Sequence, residues 1–303
     1  MGNDQLKRLI RVSIFLCTFT LGIVAQEKTP FIRFVRSQQY TQEMRAIETS
    51  NGTAIEKINA KIFLSSKHKN QEDLIDALTT KIELTGETSK LRYLLGGANG
   101  IKALQMAKLF SLPYVKVMLN NFNRAVAIDS TYTPALEAIV EALCQLPSVL
   151  GGDFAQAKHY AEMLYRQRPI EGLFALGYVA KAQKNNTNPH YEEAFQQLKL
   201  INFCAMDLDN FFANKSMNFP YKIAEISVHH KLNPTIGLCA IDYFIANRTM
   251  NYNLPVEWMY YRKGQLLDQL GHREQALIWL NKAVVENANF TNAINYINSI
   301  QKK

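Results

Sequence analysis

The chain has 303 residues, of which 48% are hydrophobic, 20% charged and 11% aromatic, and its formal net charge is +8 at pH 7. With 14 glycines and 9 prolines in no triplet period, it is not collagen-like, and its apolar content excludes wholesale disorder. The positive charge is spread along the chain, with no dense basic face of the kind that binds nucleic acid. The composition therefore predicts a large packed core in one extended or two compact domains, and no nucleic-acid partner.

Residues 1–25 differ in character from the rest of the chain. Lys7, Arg8 and Arg11 make a positive start, and an uncharged apolar run of 14 residues follows, Val12–Ala25. This order of features is typical of a secretory signal peptide, and the run is shorter than the roughly 20 residues that a membrane span needs. We expect an exported protein, periplasmic or secreted, with no membrane span in the mature chain. A retained N-terminal anchor is the alternative.

From residue 30 onward, apolar residues recur at helical spacing, and we find no alternating strand pattern. Turn-forming pairs such as Asn51-Gly52, Gly151-Gly152 and Asn233-Pro234 separate the helical stretches. The predicted helices span 31–47, 53–65, 71–84, 90–109, 113–127, 133–147, 153–166, 172–184, 190–200, 219–231, 235–247, 256–270, 273–286 and 290–301. Short helices joined in pairs predict an all-α fold, an α-solenoid of stacked helical hairpins with a concave face.

Small residues mark the places where paired helices must approach closely. In the clearest unit, residues 257–290, we expect Gly264 on the first helix to lie against Ala276 on the second. Gly271 suits the turn between the two helices, and Ala283 is expected to receive the next helix. The equivalent small positions in earlier units are Gly96 and Gly177 on first helices, and Ala157 and Ala194 on second helices.

The spacing between equivalent small residues is longer than in a common type of helical repeat. The second-helix positions Ala157, Ala194, Gly237 and Ala276 are separated by 37, 43 and 39 residues. A tetratricopeptide repeat has about 34 residues, so each of these units is expected to carry an insertion.

The chain from about residue 85 to 301 resembles the secreted tetratricopeptide-repeat proteins of Bacteroidetes-type bacteria. The residues that carry the resemblance are Leu95–Gly100, Ala125–Asp129, Gln145–Gly152 and the unit 257–290. The Leu-Pro-x-x-Leu-Gly-Gly stretch is also similar to helical-repeat accessory subunits of TRAP-type transporters. The resemblance implies a scaffold fold that serves many kinds of client. It divides the chain into a signal peptide (1–25), degenerate helical hairpins (26–88) and a repeat domain (89–303).

The resemblance also implies which side chains face a partner. In such repeats, first-helix positions 2, 5, 9 and 12 point to the concave face, and we place Gly177 and Gly264 at position 8. Aromatic and polar side chains on that face would suit a bound peptide. The alternative is that Phe174 and Trp258 pack between neighbouring helices. The candidate groove residues are Phe174, Tyr178, Lys181, Trp258, Tyr261 and Gln265.

The sequence offers little that resembles a catalytic or metal site. His229 and His230 are adjacent, and neighbours on a helix point about 100° apart, so they do not easily share a metal. The glycine-rich stretch 96–100 lacks the following Lys-Ser/Thr and the preceding strand of a phosphate loop. Neither a Gly-x-Ser-x-Gly motif nor a catalytic cysteine signature is present. We predict a non-enzyme without metal or cofactor.

Three cysteines lie outside the apolar N-terminal run: Cys144, Cys204 and Cys239. An exported protein could pair two of them. Cys144 and Cys239, however, lie in apolar helical patterns, which favours buried free thiols.

These features predict a non-enzymatic scaffold in the bacterial cell envelope that binds a protein partner through its concave face. The alternative is an accessory component of a solute transport system, which binds a small solute or docks a solute-binding protein. A pocket along the solenoid axis would favour the alternative over an open groove.

Overall fold

The computed structural model describes residues 30–213, 215–247 and 254–302, and side chains from residue 38 onward except those of 108 and 109. The predicted signal peptide, residues 1–25, lies outside this range. The chain divides into two compact units, unit 1 (Met1–Tyr160) and unit 2 (Ala161–Lys303). The predicted boundary between residues 88 and 89 falls inside unit 1 and stays a prediction.

In the described ranges, every regular element is helical. The helices that begin in unit 1 are α1 (Pro30–Thr49), α2 (Ala54–Lys67), α3 (Gln71–Thr85), α4 (Ser89–Gln105), α5 (Lys108–Ile128), α6 (Thr133–Gln145), the 3₁₀ turn η1 (Ser148–Leu150) and α7 (Phe154–Gln167). Those of unit 2 are α8 (Pro169–Ala182), α9 (Asn188–Leu200), η2 (Phe203–Ala205), α10 (Leu208–Phe212), α11 (Phe219–His230), α12 (Pro234–Ala246), α13 (Val256–Gln269), α14 (Arg273–Glu286) and α15 (Thr291–Gln301).

Consecutive helices pack in pairs, α2 with α3 and α4 with α5 in unit 1, and α8 with α9, α11 with α12 and α13 with α14 in unit 2. The predicted all-α class of helices packed in consecutive pairs is confirmed for the described residues. We call α8, α11 and α13 the first helices of unit 2, since each precedes its partner in the chain.

One predicted helix break is wrong, and one short helix is missing from the prediction. The break predicted between residues 109 and 113 lies instead at Met106-Ala107, and α5 keeps Pro113 inside it. A proline near the start of a helix removes a single backbone hydrogen bond, and burial of Val115 and Met118 farther along α5 offsets that loss. The helix missing from the prediction is α10, which lies in the connection between α9 and α11.

Glycines on first helices lie directly over large side chains of second helices. A Cβ at Gly264 would lie 2.6 Å from Cγ of Leu280 and 3.1 Å from the Ala276 carbonyl oxygen. A Cβ at Gly96 would lie 2.6 Å from Cδ1 of Phe122. Gly177 lies in the same way over the ring of Tyr191. Each glycine therefore makes room for a bulky side chain, in addition to bringing two backbones together.

The other small positions are either buried or part of a turn. Gly271 has φ +83°, which a side chain rarely tolerates, and the next N–H, that of His272, donates to Leu267 O at 2.9 Å. This hydrogen bond closes the end of α13, as a left-handed glycine commonly does. The predicted small positions on second helices and at the next contact are fully buried: Ala157, Ala194, Ala276 and Ala283.

Cys204 in η2 and Cys239 in α12 form a disulfide with a Cα–Cα distance of 5.6 Å, whereas Cys144 is a buried free thiol. The expectation of free thiols is confirmed for Cys144 and wrong for Cys239. Burial raises the pKa of the Cys144 thiol to about 12. The apolar pattern around Cys239 predicts its helix, but it contains no information about η2, which brings Cys204 to it.

Adjacent glycines of α4 provide a matched test of helix packing. Gly96→Ala should lower the free energy of unfolding by about 1–3 kcal/mol, because the new Cβ meets Phe122. Gly97→Ala should be neutral or stabilising by up to about 1 kcal/mol, since nothing lies within 4 Å of a Cβ there. Urea unfolding of both variants measures the difference. Equal effects of the two substitutions would contradict the packing of α4 on α5.

Candidate functional site

Three first helices of unit 2 bring ionisable side chains together. We define the first-helix cluster as Lys181 of α8, Glu225 and His229 of α11, and Arg262 and Gln265 of α13. The charges of Lys181 and Arg262 both act on the imidazole of His229, and Arg262 is ion-paired with Glu225. The cluster therefore joins residues that lie up to 84 positions apart in the chain (265 − 181).

Arg262 is the fixed centre of the cluster and is only 4% exposed. Its guanidinium donates to Glu225 Oε1 at 2.9 Å and to Gln265 Oε1 at 2.8 Å. It also lies over the rings of Trp258 and Tyr261, at 5.8 and 5.6 Å from their centroids. A buried cation is costly without such partners, so this network holds Arg262 in one position.

His229 is neutral at neutral pH. Burial, followed by the charges of Arg262 and Lys181, lowers the pKa of its imidazole to about 4. Its Nε2 lies 3.9 Å from Glu225 Oε1, on the helix turn below, but the neutral ring forms no ion pair there at pH 7. Since 52% of the side chain is exposed, the imidazole can offer a hydrogen-bond donor and an acceptor to another molecule.

His230 anchors the end of α11 to the neighbouring pair. Its Nδ1 lies 3.0 Å from Asn188 Oδ1, and its ring packs edge-on against Tyr191 at 4.8 Å between centroids. Since the amide oxygen only accepts, Nδ1 is the protonated nitrogen in this contact. Burial and the charge of Lys181 lower the pKa of His230. The two adjacent histidines therefore differ: the ring of His230 packs against Tyr191, and the ring of His229 is half-exposed.

The structure corrects the groove assignment of Phe174. This ring is 5% exposed and packs against Tyr191, Phe195 and Phe219, with centroids 5.2–6.1 Å away. Phe174 is a core residue, as the packing alternative had it, because rings of α9 and of the start of α11 pack around it. Tyr178 and Lys181 lie farther along α8, where the first is half-buried and the second exposed.

Trp258 and Tyr261 are also packing residues in large part. Both are half-buried, and their rings meet Phe290 at 4.9 and 5.5 Å between centroids. Gln265 is buried and bonded to Arg262. One turn farther, Asp268 accepts from the hydroxyl of Tyr296 in α15 at 2.9 Å, which ties the last helix to α13. Of the six predicted groove residues, the structure brings Lys181 and Gln265 into the first-helix cluster.

Glu225 and Arg262 were missed by sequence reasoning. A signal exists for part of the cluster, since Glu225 and His229 are four residues apart and share a helix face. The partner of Glu225 lies 37 residues farther on, so the pairing depends on how α11 and α13 pack.

Two negative observations apply to the described residues alone. They contain no group of three or more His, Cys, Asp or Glu side chains that could hold a metal ion. None of their helices is long and apolar enough to span a membrane.

No protein-family model matches the chain, and no curated protein sequence matches it either. Among solved structures, the chain is similar to the crystal structure of YrrB, described as a TPR protein with an unusual peptide-binding site. The sequence identity is 15% and the TM-score 0.35, with 73% of this chain and 98% of the YrrB chain covered. A TM-score this low establishes no shared site.

The lowered pKa of His229 predicts a pH-dependent stability. Between pH 6.5 and about 4 the unfolded chain binds a proton that the folded His229 does not, so the free energy of unfolding falls as the pH falls. We expect a loss of about 1 kcal/mol between pH 7 and 5, which allows for solvent screening of a half-exposed ring.

Urea unfolding at both pH values measures this loss. His229→Gln should reduce the pH dependence by that amount. An unaltered pH dependence in His229→Gln would contradict the neutral imidazole.

Proposed function

We propose that this protein is a non-enzymatic interaction scaffold, which binds a segment of a partner protein along the first helices of unit 2. The observation that carries the proposal is the largely buried ion pair of Glu225 in α11 with Arg262 in α13, beside the half-exposed His229. The charge of Lys181 in α8 acts on the same imidazole. Successive helical pairs that present one face each give an extended surface, which suits a polypeptide segment more than a compact ligand.

The cluster combines a rigid, mutually hydrogen-bonded network with two side chains that are accessible to a partner. Arg262, Glu225 and Gln265 satisfy one another, so they need no rearrangement before a partner binds. Lys181 is exposed and charged, and His229 offers a half-exposed neutral ring. A preorganised polar surface loses less conformational entropy on binding. The partner segment accordingly supplies an acidic group to Lys181 and a hydrogen-bonding group, such as a backbone amide, to His229.

We place the protein in the bacterial cell envelope or outside the cell. The charged start and apolar run of residues 1–25 support export. The Cys204–Cys239 disulfide supports it independently, because disulfides persist in oxidising compartments. The transport-accessory alternative has no specific observation in its favour, and we do not propose it.

Site-specific photo-crosslinking tests the binding face. A photoreactive amino acid at position 181 should give a discrete partner adduct in cells. The same probe at position 199, an exposed lysine on the second helix α9, should give none. With the adduct identified by mass spectrometry, Lys181→Ala should weaken the purified interaction about five- to tenfold, as expected for an exposed charge at an interface.

Lys199→Ala is the matched control and should bind like the parent protein. Identical adducts from positions 181 and 199, or a Lys181→Ala variant with full affinity, would contradict the proposed face.

A further inference from the structure

We propose that unit 2 holds a second binding site, covered in this structure by its own residues 201–218. The site takes a peptide segment that carries an aromatic side chain followed three residues later by a lysine. We call residues 201–218 the cover segment. This site is separate from the first-helix cluster, and the inference does not rest on the proposed function.

The cover segment is unusual for a connection between packed helices. It runs for 18 residues between the end of α9 and the start of α11, and its described residues, 201–213 and 215–218, contain only the 3₁₀ turn η2 and the five-residue helix α10. Connections longer than about 12–15 residues with little regular structure commonly have a function of their own. This one carries three phenylalanines, Phe203, Phe211 and Phe212, that pack on the core.

The polar part of the covered site is the carboxylate of Glu171 in α8. It is 4% exposed and accepts from Lys215 Nζ at 2.5 Å, while the Lys215 side chain is itself 8% exposed. A carboxylate buried to this degree needs a cationic partner. The partner comes from the cover segment rather than from the helical pairs. The site therefore selects a lysine.

The apolar part is the ring of Tyr243 in α12. Phe212 of the cover segment stacks on it with centroids 4.7 Å apart. Burial, followed by the hydrogen bond that the Tyr243 hydroxyl donates to the Asp209 carboxylate, raises the pKa of that phenol. Phe212 and Lys215 thus occupy the site in the way that an aromatic residue and a lysine of another chain would. The cover segment therefore supplies, from the same chain, the aromatic ring and the lysine that we expect in the ligand.

The Cys204–Cys239 disulfide is the covalent fastening of this segment to α12. Cys204 is exposed, so a dithiol reductant can reach the bond. One reductant thiolate attacks the Cys204 sulfur and Cys239 leaves as a thiolate, which takes up a proton. The second reductant thiol then displaces Cys204, and the products are two cysteine thiols and the oxidised, cyclic reductant. Once the bond is broken, a partner segment of the same chemistry can compete with the cover segment, whose effective concentration is lowered but which stays joined to α9 and α11 at its two ends.

Peptide binding to the full chain tests the proposal. The probe is a fluorescent synthetic peptide of residues 207–218, and its anisotropy is measured with the oxidised protein and with the protein reduced by dithiothreitol. We expect binding to the reduced protein at least tenfold tighter than to the oxidised protein. The same peptide with Glu in place of its lysine should lose this binding, since it brings a second carboxylate to Glu171.

Three protein variants make the outcome decisive. Cys204→Ser/Cys239→Ser should bind the peptide without reductant, and dithiothreitol should not alter its affinity. Glu171→Gln in the reduced state should bind the peptide at least tenfold more weakly. Lys181→Glu should bind it normally, which separates this site from the first-helix cluster.

Equal affinity of the oxidised and reduced proteins, or of the Lys and Glu peptides, would overturn the proposal. Loss of the helical circular dichroism in both the reduced protein and the double serine variant would also overturn it, because the disulfide would then stabilise the fold rather than close a site.

Discussion

The structure depends on glycine facing a bulky side chain across three of its close helical pairs. Gly96 faces Phe122, Gly177 faces Tyr191 and Gly264 faces Leu280. Helix interiors disfavour glycine by roughly 1 kcal/mol relative to alanine, so its use three times in first helices needs a compensating gain. The gain is burial of the facing side chain, since Phe122, Tyr191 and Leu280 are each at most 1% exposed.

This packing also sets the position of the first-helix cluster. One face of α13 packs closely on α14. Another face of α13 carries Arg262 and Gln265 toward α11, where Arg262 forms an ion pair with Glu225. The buried guanidinium then has a direct electrostatic effect, because its charge contributes to the lowered pKa of His229. A change in the spacing of these helices would break the hydrogen bonds and the ion pair of this guanidinium, and a buried charge without partners is strongly destabilising.

Sequence reasoning predicted the helices, their pairing and the small residues between them, because helical periodicity and glycine–alanine spacing are local patterns. It did not predict which face of a first helix is free. Phe174 has the register of a groove residue, but rings of α9 and α11 bury it. The cover segment has no periodic pattern, and the pairs that fix it, Cys204–Cys239 and Glu171–Lys215, join residues 35 and 44 positions apart. Local patterns contain no information on contacts of this range.

A double-mutant cycle on one helical pair tests the packing of glycine against a bulky side chain most directly. It compares Gly264→Ala in the native background and in a Leu280→Ala background by urea unfolding. Because Leu280 is the side chain that a new Cβ would meet, the cost of Gly264→Ala should fall by at least about 1 kcal/mol once Leu280 is truncated. Costs that agree within about 0.5 kcal/mol in the two backgrounds would mean that the two residues are independent, and would contradict the account.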